Sequence, residues 1–377
     1  MIAVIGAGLI GLAIAYELRK RGADVGVLDA GEPMGGASWA GAGMLAPDTE
    51  ALPSGALRAF CARSLGLYPE FVAALQEDGG VDARLRLDGI LNVATSQDGV
   101  EDMRARAAAL RDEGIAARWL PRSEALALEP AVAGSALGGL LVEREGQVDN
   151  RRLGRALRAA CERIGVAVVE QQGRVQLEAD GRRVRGLRIR DGFMPADVAI
   201  NATGAWAGEL AGVPEQARVP VYPVKGQMLA LAMPRGLVRR VVWYPGGYAV
   251  PRDDGRLLVG ATVEDAGFDV RVTAAGQRRL LDAALDALPA LRDLAIVETW
   301  AGARPASPDG LPYVGATSVE GYFVASGHYR NGILLVPATA EAVADAVEGV
   351  ERPDLAAFAP ARAWRDGAGR PAANQSA

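Results

Sequence analysis

The stretch AVIGAGLIGLAIAYELRKRGADVGVLD, residues 3–29, constrains the fold more than any other, because it reads as strand, glycine turn, helix and strand. Gly6, Gly8 and Gly11 form G-x-G-x-x-G directly behind the apolar run 2–5 and directly ahead of a helical pattern. Gly6 permits the tight turn, Gly8 lacks the Cβ that would hold a pyrophosphate off the backbone, and Gly11 lets the helix lie close on the sheet. Amides of the first helical turn have no intrahelical acceptor, so they face a diphosphate where the helix dipole favours negative charge. Leu9, Leu12, Ala13, Tyr16 and Leu18 form the apolar stripe of that helix, and Gly22 predicts a left-handed stop. The second strand ends on Asp29, about twenty residues past the glycines, where a carboxylate can accept two ribose hydroxyls. Dinucleotide binding follows, with the choice of dinucleotide left open by this stretch alone.

Length and charge narrow the class. A chain of 377 residues, half of them apolar, supports two domains or one large one with a real core. The net charge of -5 and the lack of Lys/Arg runs interleaved with aromatics argue against a nucleic-acid surface. Cys61 and Cys161 lack C-x-x-C spacing and read as buried thiols of a reducing compartment. The apolar start has no basic n-region and no apolar run is long enough for a bilayer span, so the expectation is a cytoplasmic protein with no membrane span. His328 is the single histidine, which excludes multi-histidine metal sites; no metal is expected.

Further along, the glycine-dense segment 31–43 suits close backbone approach to a ligand, whereas 47–55 is polar and irregular and reads equally as a lid or an ordinary connection. Helical periodicity marks 57–75, 100–113 and 150–163, and strands are expected at 138–143 and 166–170. Period-two alternation over 85–93 around Asp88-Gly89 predicts a hairpin. NATGAW closes a buried strand on Thr203-Gly204, where small residues leave a cofactor room at a strand's carboxyl end. Residues 219–232 and 241–262 form an antiparallel region with a turn at Asp253-Asp254-Gly255, 296–301 is extended, and the tail 362–377 is expected to pack loosely. The α/β style of the ends and the antiparallel pieces between them imply two interleaved, discontinuous domains.

The C-terminal block GARPASPDGLPYVG, continued by GHYRNGILLVPAT, places Arg304 between an apolar strand and a proline, where a guanidinium can grip a carboxylate through paired hydrogen bonds. A helix opening at Pro337 either points its positive end at a ligand or simply begins an amphipathic helix. These strings, with ASWAGAGML, EGQVDNRRL, PVKGQM and GYAVPR, cover nearly the whole chain and are similar to those of the FAD-dependent D-amino-acid oxidase superfamily, and within it to the glycine oxidase family.

That resemblance implies an FAD-binding Rossmann-like domain of the glutathione-reductase type (1–83, 145–215 and 301–361) interleaved with an α+β substrate domain on an antiparallel sheet (84–144 and 216–300). It implies FAD held non-covalently, because both cysteines lie too early to tether a flavin as related sarcosine oxidases do. The implied cofactor contacts are Gly6, Gly8, Leu9, Ile10, Gly11, Asp29, Ala37, Ser38, Ala42, Gly43, Met44, position 174 (Arg174), Thr203, Gly204, Trp206, His328, Arg330, Asn331, Gly332 and Ile333. Arg304, Tyr248 and Arg330 are the implied catalytic residues, and with Val263 they form the substrate pocket. The implied reaction is oxidative deamination of a small amino acid by hydride transfer to flavin, with oxygen reduced to peroxide and a place in thiamine thiazole synthesis. Implied partners are the amino acid, oxygen and copies of the same chain, as a homo-oligomer up to a homotetramer. A flavin dehydrogenase using a quinone, a flavin-binding sensor and a nicotinamide dehydrogenase are the competing readings.

Overall fold

The structure is a computed structural model that describes residues 1–53 and 55–364. Its first layer is a six-stranded sheet in the order Tyr313–Ala316, Tyr322–Ser326, Val198–Asn201, Ile2–Ile5, Val25–Leu28, Ala167–Val169. All neighbours run parallel except the first two. Parallel neighbours need crossover segments, and the helix Leu9–Lys20 supplies one between Ile2–Ile5 and Val25–Leu28. Leu12, Ala13 and Ile14 of that helix are fully buried among helices Val336–Val347, Asn150–Arg163 and Ala56–Gly79. Each such Leu or Ile contributes about 1.5–3 kcal/mol by leaving water. The helix ends as expected: Gly22 has φ +92° and its N–H donates to the Arg19 carbonyl, while Ala23 N–H reaches back to Leu18.

The second layer is an eight-stranded sheet in the order Ile296–Ala306, Tyr222–Ala232, Arg256–Gly260, Gly247–Pro251, Val241–Tyr244, Ile90–Ala94, Gly138–Val142, Ala117–Pro121. Its longest ladder pairs Tyr222–Ala232 with Ile296–Ala306, bringing Val224 opposite Arg304 and Met228 opposite Trp300. One face packs on the helix Ala274–Ala287 through Leu231, Val259, Leu280 and Ala284. The other carries Met228, Val250 and Trp300 against Ala40 and Ala42, so the turn following Val25–Leu28 lies directly beneath this sheet.

One local expectation fails. No hairpin forms over 85–93, because Ile90–Ala94 is buried along its whole length between Gly138–Val142 and Val241–Tyr244, leaving no edge for 85–87. Leu85 and Leu87 pack into the first core instead, and only Arg86 bridges, to Gln147. Of the tail 362–377, only its first residues are described. Arg362 pairs with Asp309 at 2.7 Å and stacks over the Tyr313 ring at 3.8 Å; residues 365–377 lie outside the described residues.

Candidate functional site

A cavity of about 1210 Å³ runs between the two sheets, larger than the roughly 300–1,000 Å³ of an ordinary small-molecule site. At one end are Gly6, Gly8, Leu9, Ile10 and Asp29; at the other are Tyr248, Val263, Arg304 and Arg330. The wall between them is built from Ala37, Ser38, Ala42, Gly43, Met44, Thr203, Gly204, Trp206, His328, Asn331, Gly332 and Ile333. Gly11 alone of the expected residues is not on the wall. A Cβ there would sit 1.9 Å from the Gly6 carbonyl oxygen, so Gly11 serves the close packing of helix on strand. At the 174 step Arg174 and its neighbour Val175 both reach the wall, and Val175 supplies the buried apolar surface.

The glycine end fits a dinucleotide. Gly6 has φ +105° and a side chain there would strike Ala202, whereas a Cβ on Gly8 would meet only the Ser38 hydroxyl, leaving its backbone approachable from the cavity. Asp29 accepts from the amides of Ala7 (2.7 Å) and Gly31 (2.9 Å), which fixes the carboxylate just past the carboxyl end of Val25–Leu28. Ser38 accepts from Leu9 N–H at 3.0 Å and ties the start of the helix to the glycine-dense segment 31–43.

That segment is held from the roof. Arg252 is buried and donates to the carbonyls of Ala42 (2.8 Å) and Val148 (3.2 Å) and to Gln147 and Asn150. Burial pushes its guanidinium down to about 10, still charged at neutral pH. Trp300 Nε1 donates to the Ala40 carbonyl at 2.9 Å, and Arg151 lies over both Trp39 and Trp300 while pairing with Glu298.

At the far end Arg304 lies over Gly226, where a Cβ would come 2.2 Å from its Nη1. Nη1 donates to the carbonyls of Thr262 (3.1 Å) and Lys225 (3.3 Å), neutral acceptors that aim the fork without cancelling its charge. Burial raises the Tyr248 hydroxyl above its ordinary range, so it is a protonated donor, and Arg304 and Arg330 pull the other way. Arg330 and Val263 are exposed, at the rim.

Sequence reasoning missed Glu50, which lines the same cavity from the irregular 47–55 segment; burial raises its carboxyl, against the opposing pull of Arg330 and Arg304. Gly226 and Gly302 were also missed, although both lie in strings, PVKGQM and GARPASPDGLPYVG, that carry the family resemblance. Gly302 faces Ala40 so closely that a Cβ would come 2.5 Å from it. That contact joins segments far apart in sequence, so no local pattern signals it.

His328 is buried, its Nε2 is 3.2 Å from the Thr339 hydroxyl, and burial pushes it down to about 4. It is therefore neutral at physiological pH and lines the cavity as an uncharged ring. The unfolded chain protonates its histidine near pH 6.5. Between about 6.5 and 4 the unfolded state binds the extra proton, so the stability His328 permits is full above 6.5 and falls as pH drops through this window, by about 3 kcal/mol in all. His328→Gln, which keeps a partner for Thr339, is expected to remove that loss; urea titrations of FAD-saturated protein at pH 7 and 4.5 that show the same drop in both proteins would sink the reading.

Among the described residues no group of His, Cys, Asp or Glu could hold a metal ion, and no helix is long and apolar enough to cross a membrane. Both cysteines are buried and free, with thiols pushed up by burial.

Comparison with known proteins adds to this geometry. The family described as FAD dependent oxidoreductase (DAO) matches residues 1–346. Glycine oxidase of Geobacillus kaustophilus is 37% identical over 361 residues, spanning 95% of each chain. The crystal structure of glycine oxidase from Geobacillus kaustophilus superposes with a TM-score of 0.90 over 95% of this chain and 97% of that one. The bifunctional protein ThiO/ThiG of Nostoc sp. is 38% identical over 353 residues, 92% of this chain but 52% of that protein, so the chain spans about half the length of this relative.

Proposed function

The chain belongs to the family of FAD dependent oxidoreductases, and on that premise we propose that it oxidises a small amino acid at its Cα–N bond. The observation that carries this reading is that one cavity joins a dinucleotide cradle at Gly6, Gly8 and Asp29 to a carboxylate clamp at Arg304 and Tyr248. Gly6, Gly8, Asp29 and Ser38 would hold the nucleotide half of FAD, and the Ala42–Met44 turn, His328 and the segment 330–333 would flank the ring. When bound, FAD would supply a two-electron acceptor for oxidation of the substrate's Cα–N bond to an imine, which water would hydrolyse to an oxo acid and ammonia or an amine, with oxygen as the terminal acceptor giving hydrogen peroxide.

The protein's part is binding and alignment. Arg304 grips the substrate carboxylate, Tyr248 donates a further hydrogen bond to it, and Arg330 adds positive charge at the rim. Neutral His328 leaves no imidazolium beside the amine, whose lone pair must be free. Residues 1–83, 145–215 and 301–361 would form the FAD unit and 84–144 and 216–300 the substrate unit. In support, every strand of the six-stranded sheet comes from the first set, and all but the straddling Ile296–Ala306 of the eight-stranded sheet come from the second.

Anaerobic mixing of FAD-loaded protein with glycine, sarcosine, D-alanine and D-proline is expected to bleach the flavin with at least one of them. Readmitted air should restore the colour with an equivalent of peroxide. Bleaching that persists in air would replace the oxidase by a dehydrogenase, and no bleaching with any of them would overturn the reading.

A further inference from the structure

Two charged side chains, Lys225 and Glu264, sit behind the Arg304 clamp, off the cavity wall. Lys225, 2% exposed, and Gln227, fully buried, share the strand Tyr222–Ala232 with Gly226 and Met228, and side chains alternate along a strand. Gly226 and Met228 line the cavity, so Lys225 and Gln227 point to the opposite face, where Gln227 bonds to Thr273 at the start of the helix Ala274–Ala287. There Lys225 Nζ lies 3.4 Å from Glu264, the one carboxylate within ion-pair distance of it among the described residues. Burial works against the Glu264 charge, but Thr262, Gln227 and Lys225 hold its carboxyl below the usual range, so it is ionised at neutral pH.

What Glu264 holds is a bulge. The strand Arg256–Gly260 pairs with Tyr222–Ala232 as far as Gly260 opposite Met228, and pairing resumes at Glu264 opposite Lys225. Gly226 and Gln227 therefore face three residues, Ala261, Thr262 and Val263, all of which reach the cavity wall. Glu264 Oε1 fastens the extra length: it accepts from the Thr262 hydroxyl at 2.5 Å and from Gln227 Nε2 at 2.8 Å, while the Thr262 hydroxyl oxygen accepts from Gln227 N–H at 2.8 Å. Glu264 N–H donates to the Lys225 carbonyl at 2.9 Å. The two carbonyls that steer Arg304, those of Thr262 and Lys225, are thus both set by Glu264.

We propose that the Glu264 carboxylate, acting from the far face of the sheet through Thr262 and Gln227, aims the Arg304 guanidinium and thereby sets how tightly the pocket holds a carboxylate. Glu264 is a positioning residue that lies off the cavity wall, and Lys225 supplies its counter-charge in a buried place. This rests on the amino-acid reading above.

The test compares FAD-loaded parent, Thr262→Val, Glu264→Gln and Glu264→Ala, with acetate titrated as a non-reacting probe through the flavin absorbance and stability read from the urea midpoint. Thr262→Val keeps the backbone carbonyl and the Lys225–Glu264 pair but loses the hydroxyl that fastens the bulge, and is expected to bind acetate on the order of 10-fold more weakly. Glu264→Gln keeps an oxygen for Thr262 and Gln227 but leaves Lys225 without a counter-charge. Its urea midpoint should fall further than that of Thr262→Val, while its acetate affinity stays within about threefold of the parent. Glu264→Ala loses both supports and should fall in both readings; if it does not fold, the first two variants still decide. Acetate affinity that simply follows the urea midpoint, or that is unchanged in Thr262→Val, overturns this proposal alone. Acetate that perturbs the flavin in no protein, parent included, takes the amino-acid reading down with it.

Discussion

Replacing Arg304 by alanine is expected to leave FAD bound and to lower kcat/KM by on the order of 2–5 kcal/mol, about 30- to 5,000-fold, because a desolvated charge clamp on a carboxylate is lost. The guanidinium is steered by two backbone carbonyls, and Gly226 beneath it leaves just enough room for the planar group to lie flat. Nothing in the cradle for the nucleotide touches it, so flavin content should not follow activity. Arg304→Lys should recover only part of the loss, since an ammonium cannot make the paired bond. Flavin content and steady-state kinetics decide: kcat/KM within about threefold of the parent in the alanine variant would exclude Arg304 as the anchor.

A second large effect is expected at the glycine turn, with two glycines failing in different ways. Gly11→Val must push a side chain into the Gly6 carbonyl, 1.9 Å from the Cβ position, and the Ala202 methyl at 3.3 Å. Helix and strand cannot separate cheaply in a core this close-packed, so overpacking costs about 1–3 kcal/mol or more and FAD is lost with stability. Gly8→Val meets only the Ser38 hydroxyl at 3.0 Å, and its side chain projects where the pyrophosphate would lie. That variant should unfold like the parent in urea while binding FAD on the order of 100-fold more weakly, about 2.7 kcal/mol. Equal FAD affinity in Gly8→Val and parent would rule out the turn as the diphosphate site.

These two ends of the cavity differ in how legible they were. The glycine turn is local: spacing, flanking periodicity and Asp29 all fall within one strand-helix-strand unit, and the structure follows them to the left-handed Gly22. The helix Asn150–Arg163 was equally readable, with Asp149 accepting from Arg152 N–H at its start. Residues 85–93 were misread because alternation over so short a run does not say whether the partner strand is the next in sequence; here the partners lie at 138–142 and 241–244. Glu50 escaped notice for a related reason. Its place depends on Glu145 and Arg106, side chains 95 and 56 positions away, and the segment itself carries no periodic signal. Arg304 was singled out from its strand-proline setting, but the carbonyls that orient it come from Lys225 and Thr262.

The strand Ile296–Ala306 has a wider consequence. Trp300, Gly302 and Arg304 alternate onto one side of it, the first bonded to Ala40, the second pressed on Ala40 and the third at the cavity's far end. Loss or gain of a single amino acid between them would rotate the guanidinium to the opposite side while the tryptophan stayed put. Evolution can thus reshape the mouth through Val263 or the 47–55 connection by insertion, but here it can only exchange one side chain for another.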